Sequence, residues 1–520
     1  MTVPGASVAP AAERPEERPG PARRLSVESV PTAAYALVAA VLTVLLRLIQ
    51  VGRASDLFVD ELIYQELGRS AERGGFPSTS DGLFFLHPPG FFYLEAGWMR
   101  LFGEHQDVIA QVHSLRVLNA LLAGVTAALV VFLVARVRSR TAGLVAGLVF
   151  ALDQFCIRQN NWVLLETATM MWVIAGFLVL LPLCRAEPPG RPRLRAVAGG
   201  LLLGLAVLTK DHSALITVLP LLLALALGWG PPRRLTALAA SAAVVPYTVY
   251  VTLVVGFGHW ESFWDQKTHG LDRLLGIVQE TGFNAPGRPS LAGRLTAELP
   301  EFAITYLLLL LTPVALFLLL RRKEPVYRLL ALFEACAIVT LAYALGIGTL
   351  EEQALYLLFV PNLVALAVTV PVPRRSPALR AGVVAVLVAV LAVPAGVYAR
   401  DRGTPDDGFV GMQAYLRQHV PAGSGIVTVD GQRTAGVTYW TFEDDYRLGH
   451  WVTPGERAAH QARYVIVPWK VIEEGYGRSP LSEVRDLIHG ARLLYAFQGP
   501  TYGTLALYEL PPPQPSAGPR

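Results

Sequence analysis

The feature that most constrains this chain is a series of apolar stretches, recurring from Pro31 to Arg400, whose lengths of about 17–25 residues match the hydrocarbon thickness of a bilayer when helical. They predict an all-α polytopic membrane protein with about eleven transmembrane helices plus interfacial helices. The predicted spans are 32–50, 113–135, 141–156, 161–184, 196–210, 212–229, 235–257, 302–320, 328–347, 353–371 and 378–399.

Composition agrees with a membrane protein and excludes several other classes. Of 520 residues, 53% are hydrophobic and only 16% are charged. The formal net charge of +4 does not indicate nucleic-acid binding, because the arginines stand in short clusters between apolar runs. The three cysteines lie in or beside apolar runs and predict neither a disulfide framework nor a metal site. The first apolar run resembles a signal peptide, but it is long and lacks a clear cleavage site, so we expect a retained span.

The charges between the spans predict the orientation of the chain. By the positive-inside rule, the arginine-rich connections face the cytoplasm together with the N-terminus. These connections contain Arg136, Arg138, Arg140, Arg185, Arg191, Arg193, Arg195, Arg233, Arg234, Arg321, Arg322, Lys323, Arg374, Arg375 and Arg380. The 51–112 and 258–301 loops and the C-terminal region then face outward. The apolar segment 83–103 would invert this scheme if it crossed the membrane. Its Pro88-Pro89 pair and two charged residues favour a re-entrant or interfacial helix.

Four regions follow from this pattern. We expect a disordered cytoplasmic tail over 1–30, a transmembrane domain over 31–400, a small extracytoplasmic α/β domain over 401–510 and a disordered tail over 511–520. In the third region, "GIVTVDG" and "ARYVIVPWK" are typical of strands, and "GFVGMQAYLRQHV" and "PLSEVRDLIHG" are typical of helices. "ARLLYAFQGPTYGTLALYEL" predicts a hairpin. The α/β domain carries no catalytic motif, and we expect an accessory role with a core of its own.

An acidic pair, Asp60-Glu61, follows the first span in the predicted outward loop. One interpretation is a helix start, in which Asp60 is the N-cap and Glu61 favours the positive end of the helix dipole. A second interpretation is catalytic, because a carboxylate fixed at a helix start is already oriented for chemistry. The two interpretations are compatible.

Further polar residues fall at the predicted outward ends of spans: His87, Arg116, Arg158, Glu166, Lys210, Glu351 and Tyr356. An ionisable residue within a span is costly and indicates function. Lys210 is the only lysine among the spans and their short outward turns, although a snorkelling side chain also explains it. Carboxylates beside cations suit transfer of a group from a membrane-embedded phosphate carrier. The cations stabilise the leaving phosphate, and a carboxylate deprotonates the acceptor hydroxyl in a direct displacement.

Several motifs resemble those of the GT-C membrane glycosyltransferases. The likeness is closest to the protein O-mannosyltransferase family and its relative that adds aminoarabinose to lipid A. It rests on Asp60-Glu61 followed by "LHPPGFFYLEAGWMRLFG", on "RQNNWVLLETATMMW", on "GLAVLTKDHSALI" and on "EEQALYLLFVPNLVALA". It covers roughly residues 32–400. The resemblance implies hexosyl or pentosyl transfer from a polyprenyl-phosphate sugar outside the cytoplasmic membrane.

The resemblance also implies roles for individual residues. Asp60 matches the proposed catalytic base, and Glu61 matches a partner that orients the acceptor or the base. His87 precedes the proline pair, where relatives carry Lys or His. Glu166 matches an acid in the membrane-facing cavity. Arg158 and Lys210 are candidates for binding the donor phosphate, and we expect Lys210 to hold it together with Arg158 or Arg116. Glu351 and Tyr356 belong to the late span of the likeness and are expected to bind substrate.

Two departures from the family leave the acceptor open. No inserted β-trefoil is evident, so a cell-envelope glycan or a lipid is as good an acceptor as a protein. No Asp-x-Asp pair is present, so a divalent metal cofactor has no supporting motif. A transporter or flippase of a lipid-linked precursor is the alternative function, but such proteins commonly show repeated halves and charges near mid-bilayer. A non-catalytic envelope scaffold would leave the charges beside the spans unexplained.

Overall fold

The computed structural model describes residues 31–187, 190–279, 288–370, 377–431 and 436–512. The predicted disordered tails, 1–30 and nearly all of 511–520, lie outside these residues, as do Arg374 and Arg375. The transmembrane part consists mainly of helices that the apolar runs predict. These helices are α1 (Thr32–Leu48), α2 (Val59–Arg73), α3 (Gly90–Phe102), α4 (Val108–Val137), α5 (Arg140–Leu152), α6 (Gln154–Asn161), α7 (Leu165–Leu180), α8 (Pro192–Thr209), α9 (Ala214–Leu227), α10 (Arg233–Gly256), α11 (Trp260–Leu274), α12 (Leu291–Leu310), α13 (Thr312–Leu320), α14 (Pro325–Gly346), α15 (Gln353–Thr369) and α16 (Pro377–Gly403).

Each of the eleven predicted spans overlaps one of these helices, but they differ in length. Within the described residues, seven helical stretches are long and apolar enough to cross a membrane. They are Val108–Val137, Leu165–Cys184, Pro192–Thr209, Arg233–Gly256, Leu291–Leu320, Pro325–Gly346 and Ala381–His419. The pair α5 and α6 is bent by 60° and makes an eighth if it counts as one span. The remaining three predicted spans are shorter apolar helices: Thr32–Leu48, Asp211–Leu227 and Gln353–Thr369.

Small residues allow the central membrane helices to approach closely. A Cβ added at Gly200 of α8 would lie 2.2 Å from the backbone oxygen of Ala239 in α10. One turn further along, a Cβ at Gly204 would lie 2.5 Å from the oxygen of Ala243. Without a hydrophobic driving force between helices in lipid, such close packing is a main source of association.

The loop between α1 and α4 forms a compact layer of α2, the short hairpin of β1 (Ser78–Thr79) and β2 (Gly82–Leu83), and α3. The segment 83–103, which resembles a span, contains only the 13-residue α3 and is not among the candidate spans. Gly90, which ends the "HPPG" motif, lies against the end of α8: a Cβ there would be 2.7 Å from the Leu208 oxygen. This glycine therefore brings the His87 loop next to Lys210.

The C-terminal region is the predicted small α/β domain. It contains α17 (Gly408–His419), β3 (Gly425–Thr428), α18 (Val437–Phe442), β4 (Arg447–Gly449), α19 (Pro454–His460), β5 (Ala462–Pro468), α20 (Trp469–Glu473), α21 (Leu481–Leu487), β6 (Arg492–Gly499) and β7 (Gly503–Glu509). The five strands are ordered β4-β3-β5-β7-β6; β3 is parallel to β4 and to β5, and β6 and β7 form the predicted hairpin. The sequence did not predict β4, α18, α19 and α20, which are only three to seven residues long.

The core of this domain is only partly its own. One face of the sheet buries Val427, Val465 and Val484 in a separate cluster. On the other face, Phe409 and Trp440 share a core with Leu62 of α2 and other residues of the 51–112 loop. The expectation of a self-contained core is therefore wrong for this second face, because the apolar side of α2 and α3 needs the domain to cover it.

Candidate active site

A cavity of about 2110 Å³ opens between the 51–112 loop, the membrane helices and the C-terminal domain. Asp60, His87 and Lys210 all line it. Glu166 is buried directly behind Lys210 and forms an ion pair with its Nζ. Residues that lie far apart in sequence are thus gathered around one space, as a common site requires.

Asp60 lies in the first turn of α2, where its carboxylate is half-buried in the cavity wall. The N-cap of α2 is Phe58, so the interpretation of Asp60 as N-cap is wrong. Within the described residues, no hydrogen bond or ion pair holds the Asp60 carboxylate. Burial, followed by the negative charges of Glu351 and Glu166, raises the pKa of Asp60 to about 7, against the opposing effect of Lys210 and Arg273. A general base works best with a pKa near the working pH.

Glu61 faces the opposite way and is fully buried. Its Oε1 accepts from the Phe58 backbone N–H at 2.9 Å, closing the start of α2. Its Oε2 accepts from Arg116 Nε at 3.1 Å and from the Val163 N–H at 3.2 Å. Glu61 does not line the cavity. Through these hydrogen bonds, Glu61 fixes the start of α2, the helix that carries Asp60.

The His87 loop is fixed by the amphipathic helix α11. The Gln266 side chain accepts from the N–H groups of Phe85 and Leu86 at 2.7 and 3.1 Å. Lys267 Nζ donates to the Leu86 oxygen at 3.0 Å. His87 Nδ1 has no hydrogen-bond partner in the described part of the chain. Burial, together with Lys210, holds the pKa of His87 well below its usual range, so the imidazole is neutral at physiological pH.

Three of the cations along the cavity wall are each held by a carboxylate. Lys210 pairs with Glu166, and Lys267 pairs with Asp211 at 2.6 Å. Arg273 Nη2 lies 2.8 Å from Glu351 Oε1, and both residues line the cavity. These pairs fix the positions of three cationic side chains that line the same cavity as Asp60.

Arg158 enters the cavity because the chain bends sharply between α5 and α6. Asp153 makes this bend, since its side chain accepts from the Cys156 N–H at 3.0 Å and caps α6. Arg158 then donates through Nε to Glu352 at 3.0 Å and through Nη2 to Glu298 at 3.3 Å. With Glu301 at 4.0 Å, three carboxylates surround the Arg158 guanidinium and already balance its charge.

Three predicted substrate-binding residues do not line the cavity, which corrects the expectation that they contact substrate there. Glu166 is buried behind Lys210, and Arg116 and Tyr356 are buried among other partners. Arg116 is buried against Glu61 and donates to the backbone oxygens of Val51, Ser55 and Asp56. Tyr356 is fully buried, and its hydroxyl accepts from Asn160 Nδ2 at 3.2 Å. Both side chains have their polar groups engaged in packing the protein.

The sequence analysis did not identify several cavity residues: Lys267, Arg273, Asp430 and Trp440. A signal existed for the first two, because "WESFWDQKTHGLDRL" is amphipathic and contains the only lysine of the 258–301 loop. No group of three or more potential metal ligands occurs among the described residues.

Comparison with known proteins gives the fold. A family model described as dolichyl-phosphate-mannose-protein mannosyltransferase matches residues 97–260, less than half of the chain. ArnT from Cupriavidus metallidurans, solved with undecaprenyl phosphate, aligns with a TM-score of 0.57 and 14% identity, covering 94% of this chain and 99% of that one. The archaeal oligosaccharyltransferase AglB from Archaeoglobus fulgidus, solved with an inhibitory peptide and a dolichol-phosphate, aligns with a TM-score of 0.58 and 12% identity, covering 91% and 74%. No curated protein matches the sequence significantly.

These matches confirm the predicted GT-C membrane fold and the predicted resemblance to GT-C glycosyltransferases. The two structural alignments cover 91% and 94% of the chain, more than the sequence motifs reached, whereas the family model ends at residue 260. None of them supports the flippase alternative.

Proposed function

We propose that this chain is a membrane glycosyltransferase that moves a sugar from a polyprenyl-phosphate donor to a hydroxyl acceptor outside the cytoplasmic membrane. One observation carries the proposal. The Asp60 carboxylate, which has no partner among the described residues, opens into a cavity that also presents the cations Lys210, Lys267 and Arg273. The same cavity continues along apolar side chains of α9 and α14, including Leu219 and Val339, which suit a polyprenyl tail.

The chemistry is a single displacement. Asp60 accepts the proton of the acceptor hydroxyl as its oxygen bonds to the anomeric carbon. The bond from that carbon to the phosphate oxygen breaks, and polyprenyl phosphate leaves with the electron pair. Lys210, with Lys267 or Arg273 beside it, stabilises the charge that develops on the phosphate. His87, neutral and with a free Nδ1, orients the donor head group.

The proposed chemistry assigns different tasks to two regions of the chain. We propose that residues 31–400 form the transferase domain and that 401–510 form an extracytoplasmic domain covering the site. Glu61 and Glu166 then act as positioning residues, the first through α2 and the second through Lys210.

The test is transfer by the purified protein in nanodiscs, using polyprenyl-phosphate-linked mannose, arabinofuranose and aminoarabinose as donors. Envelope-glycan and lipid-linked sugar analysis of a deletion strain identifies the natural product. We expect the deletion strain to lack one glycan species and to accumulate its polyprenyl-phosphate sugar. A deletion strain with unchanged glycans and a mislocalised lipid-linked precursor would instead support the flippase.

A further inference from the structure

The C-terminal sheet has a topological switch point on its parallel side. The chain runs from β3 to β4 on one side and then crosses to β5 on the other side. The connections that leave β3 and β5 therefore diverge, and a crevice opens at the carboxyl ends of these two strands. In open α/β sheets, ligands bind in crevices of this kind.

This crevice faces the cavity that Asp60 lines. Asp430, two residues after β3, and Lys470, two residues after β5, both line the cavity that contains Asp60. Trp440 of α18 lines it as well, and α18 packs against α2. Tyr502 Oη donates to the Leu57 oxygen at 2.5 Å, next to the start of α2. The crevice is thus fixed relative to the helix that carries the proposed base.

Asp430 and Trp440 line the cavity, and each carries one buried polar atom that has no hydrogen-bond partner within the described residues. These atoms are Asp430 Oδ1 and Trp440 Nε1, and both residues are only 3% exposed. The other oxygen of Asp430 accepts from the Thr438 N–H at 2.9 Å. Burial raises the pKa of Asp430 to about 6, so at neutral pH the carboxylate is ionised and acts as an acceptor. Leaving buried polar atoms unpaired is costly, and a bound ligand removes this cost directly or through a water.

The chemistry of the two atoms selects the ligand class. A carboxylate oxygen accepts from a hydroxyl and an indole N–H donates to one, so a polyhydroxylated ring satisfies both. A phosphate group satisfies only the donor and is repelled by Asp430. An acidic peptide has the same disadvantage.

We propose that Asp430 and Trp440 form the acceptor subsite and that they recognise a hydroxyl-bearing sugar residue of the acceptor. This proposal rests on the proposed function and makes the acceptor a glycan or glycolipid. The C-terminal domain then supplies specificity, while the membrane domain holds the donor and the base.

The experiment is saturation-transfer NMR on the full-length protein in nanodiscs. The probes are the methyl glycosides of mannose, glucose, galactose and arabinofuranose, with inorganic phosphate and a serine-containing hexapeptide as comparisons. We expect at least one glycoside to bind and to lose roughly tenfold or more in affinity in both variants, because Trp440→Phe removes the indole donor and Asp430→Asn replaces a charged acceptor with a neutral amide. The matched controls are Asp486→Asn, at an exposed site of α21, and Trp451→Phe, away from the cavity.

Three results would overturn the subsite: no glycoside binds the wild type, both variants bind as the wild type does, or only phosphate or the peptide binds. Undecaprenyl phosphate binding, measured on the same samples, separates this outcome from failure of the proposed function. Both variants are expected to keep that affinity, and Asp60→Asn is expected to keep glycoside binding. Glycoside binding without any sugar transfer would support the subsite and contradict the proposed glycosyltransferase activity.

Discussion

Glu61 and Arg116 form a fully buried ion pair, with Arg116 Nη2 at 2.5 Å from Glu61 Oε1, on the side of α2 that faces away from the cavity. Asp60, one residue earlier, opens into the cavity. Successive helix residues point about 100° apart, and here this rotation turns Glu61 away from the cavity that Asp60 lines. The first acid is free for chemistry, and the second fixes the helix.

Glu61→Gln is expected to destabilise the protein. Removing one member of a buried ion pair typically costs about 3–5 kcal/mol, because the remaining charge is left without compensation. Thermal unfolding in nanodiscs measures the loss. Arg116→Gln should lose a similar amount, and the double variant should lose less than the sum of the two. An unchanged melting temperature together with lost turnover would make Glu61 catalytic instead.

Asp60→Asn is expected to leave stability unchanged and to lower the rate of sugar transfer by roughly 10²–10⁴, the usual contribution of a positioned base. The substitution is nearly isosteric, and no hydrogen bond or ion pair of Asp60 with a described residue is lost. Glu72→Gln, which affects an exposed ion pair on the same helix, serves as the matched control. Turnover near that of the control would reduce Asp60 to a residue of the helix start.

The pH profile of kcat/KM should show an acid limb near pH 7. Asp60 acts as a base only when ionised, and burial together with Glu351 and Glu166 raises its pKa to about 7. Activity should therefore rise tenfold per pH unit below that value and level off above it. Glu351→Gln removes a negative charge that raises the pKa of Asp60, so the pKa of Asp60 should fall in this variant. The limb should move to lower pH in this variant, and a shift to higher pH would contradict the assignment of the base.

Lys210→Met is expected to weaken the binding of undecaprenyl phosphate roughly tenfold or more, because a charge-assisted hydrogen bond to phosphate is lost. The single variant also leaves Glu166 buried without its partner. The double variant Lys210→Met/Glu166→Gln removes this complication and should keep the weakened binding with a recovered melting temperature. Lys323→Met, at an exposed lysine, is the control. If the double variant bound undecaprenyl phosphate as tightly as the wild type, Lys210 would be interpreted as a snorkelling side chain instead.

The arginine clusters predict that the C-terminal domain is extracytoplasmic. An alkaline phosphatase fused after Gly403 should therefore be active, and a cytoplasm-dependent reporter at the same position should be inactive. Fusions within the 321–323 turn should give the opposite pattern. Cytoplasmic activity after Gly403 would overturn the sidedness assumed for the whole site.

The sequence by itself determined the membrane class and most of the helices, because the hydrocarbon thickness imposes a length and an apolar composition that can be read locally. It also pointed to Asp60, His87 and Lys210, since a polar group beside an apolar span needs a reason to be there. The β6–β7 hairpin could also be predicted from the sequence, because its two strands are neighbours in the chain and pair across a short turn.

Only the tertiary structure decided which polar residues face the cavity. In the sequence, Glu61, Arg116 and Tyr356 are polar residues beside apolar spans, just as Asp60 is. Their hydrogen-bond partners, however, lie up to 196 positions away in sequence. Lys267 and Arg273 lie in the site because α11 contacts the His87 loop and Glu351. The closure of the site by Asp430 and Trp440 was likewise invisible, because it depends on the docking of one sheet face onto α2. Such long-range pairings are set by packing, and no local period in the sequence encodes them.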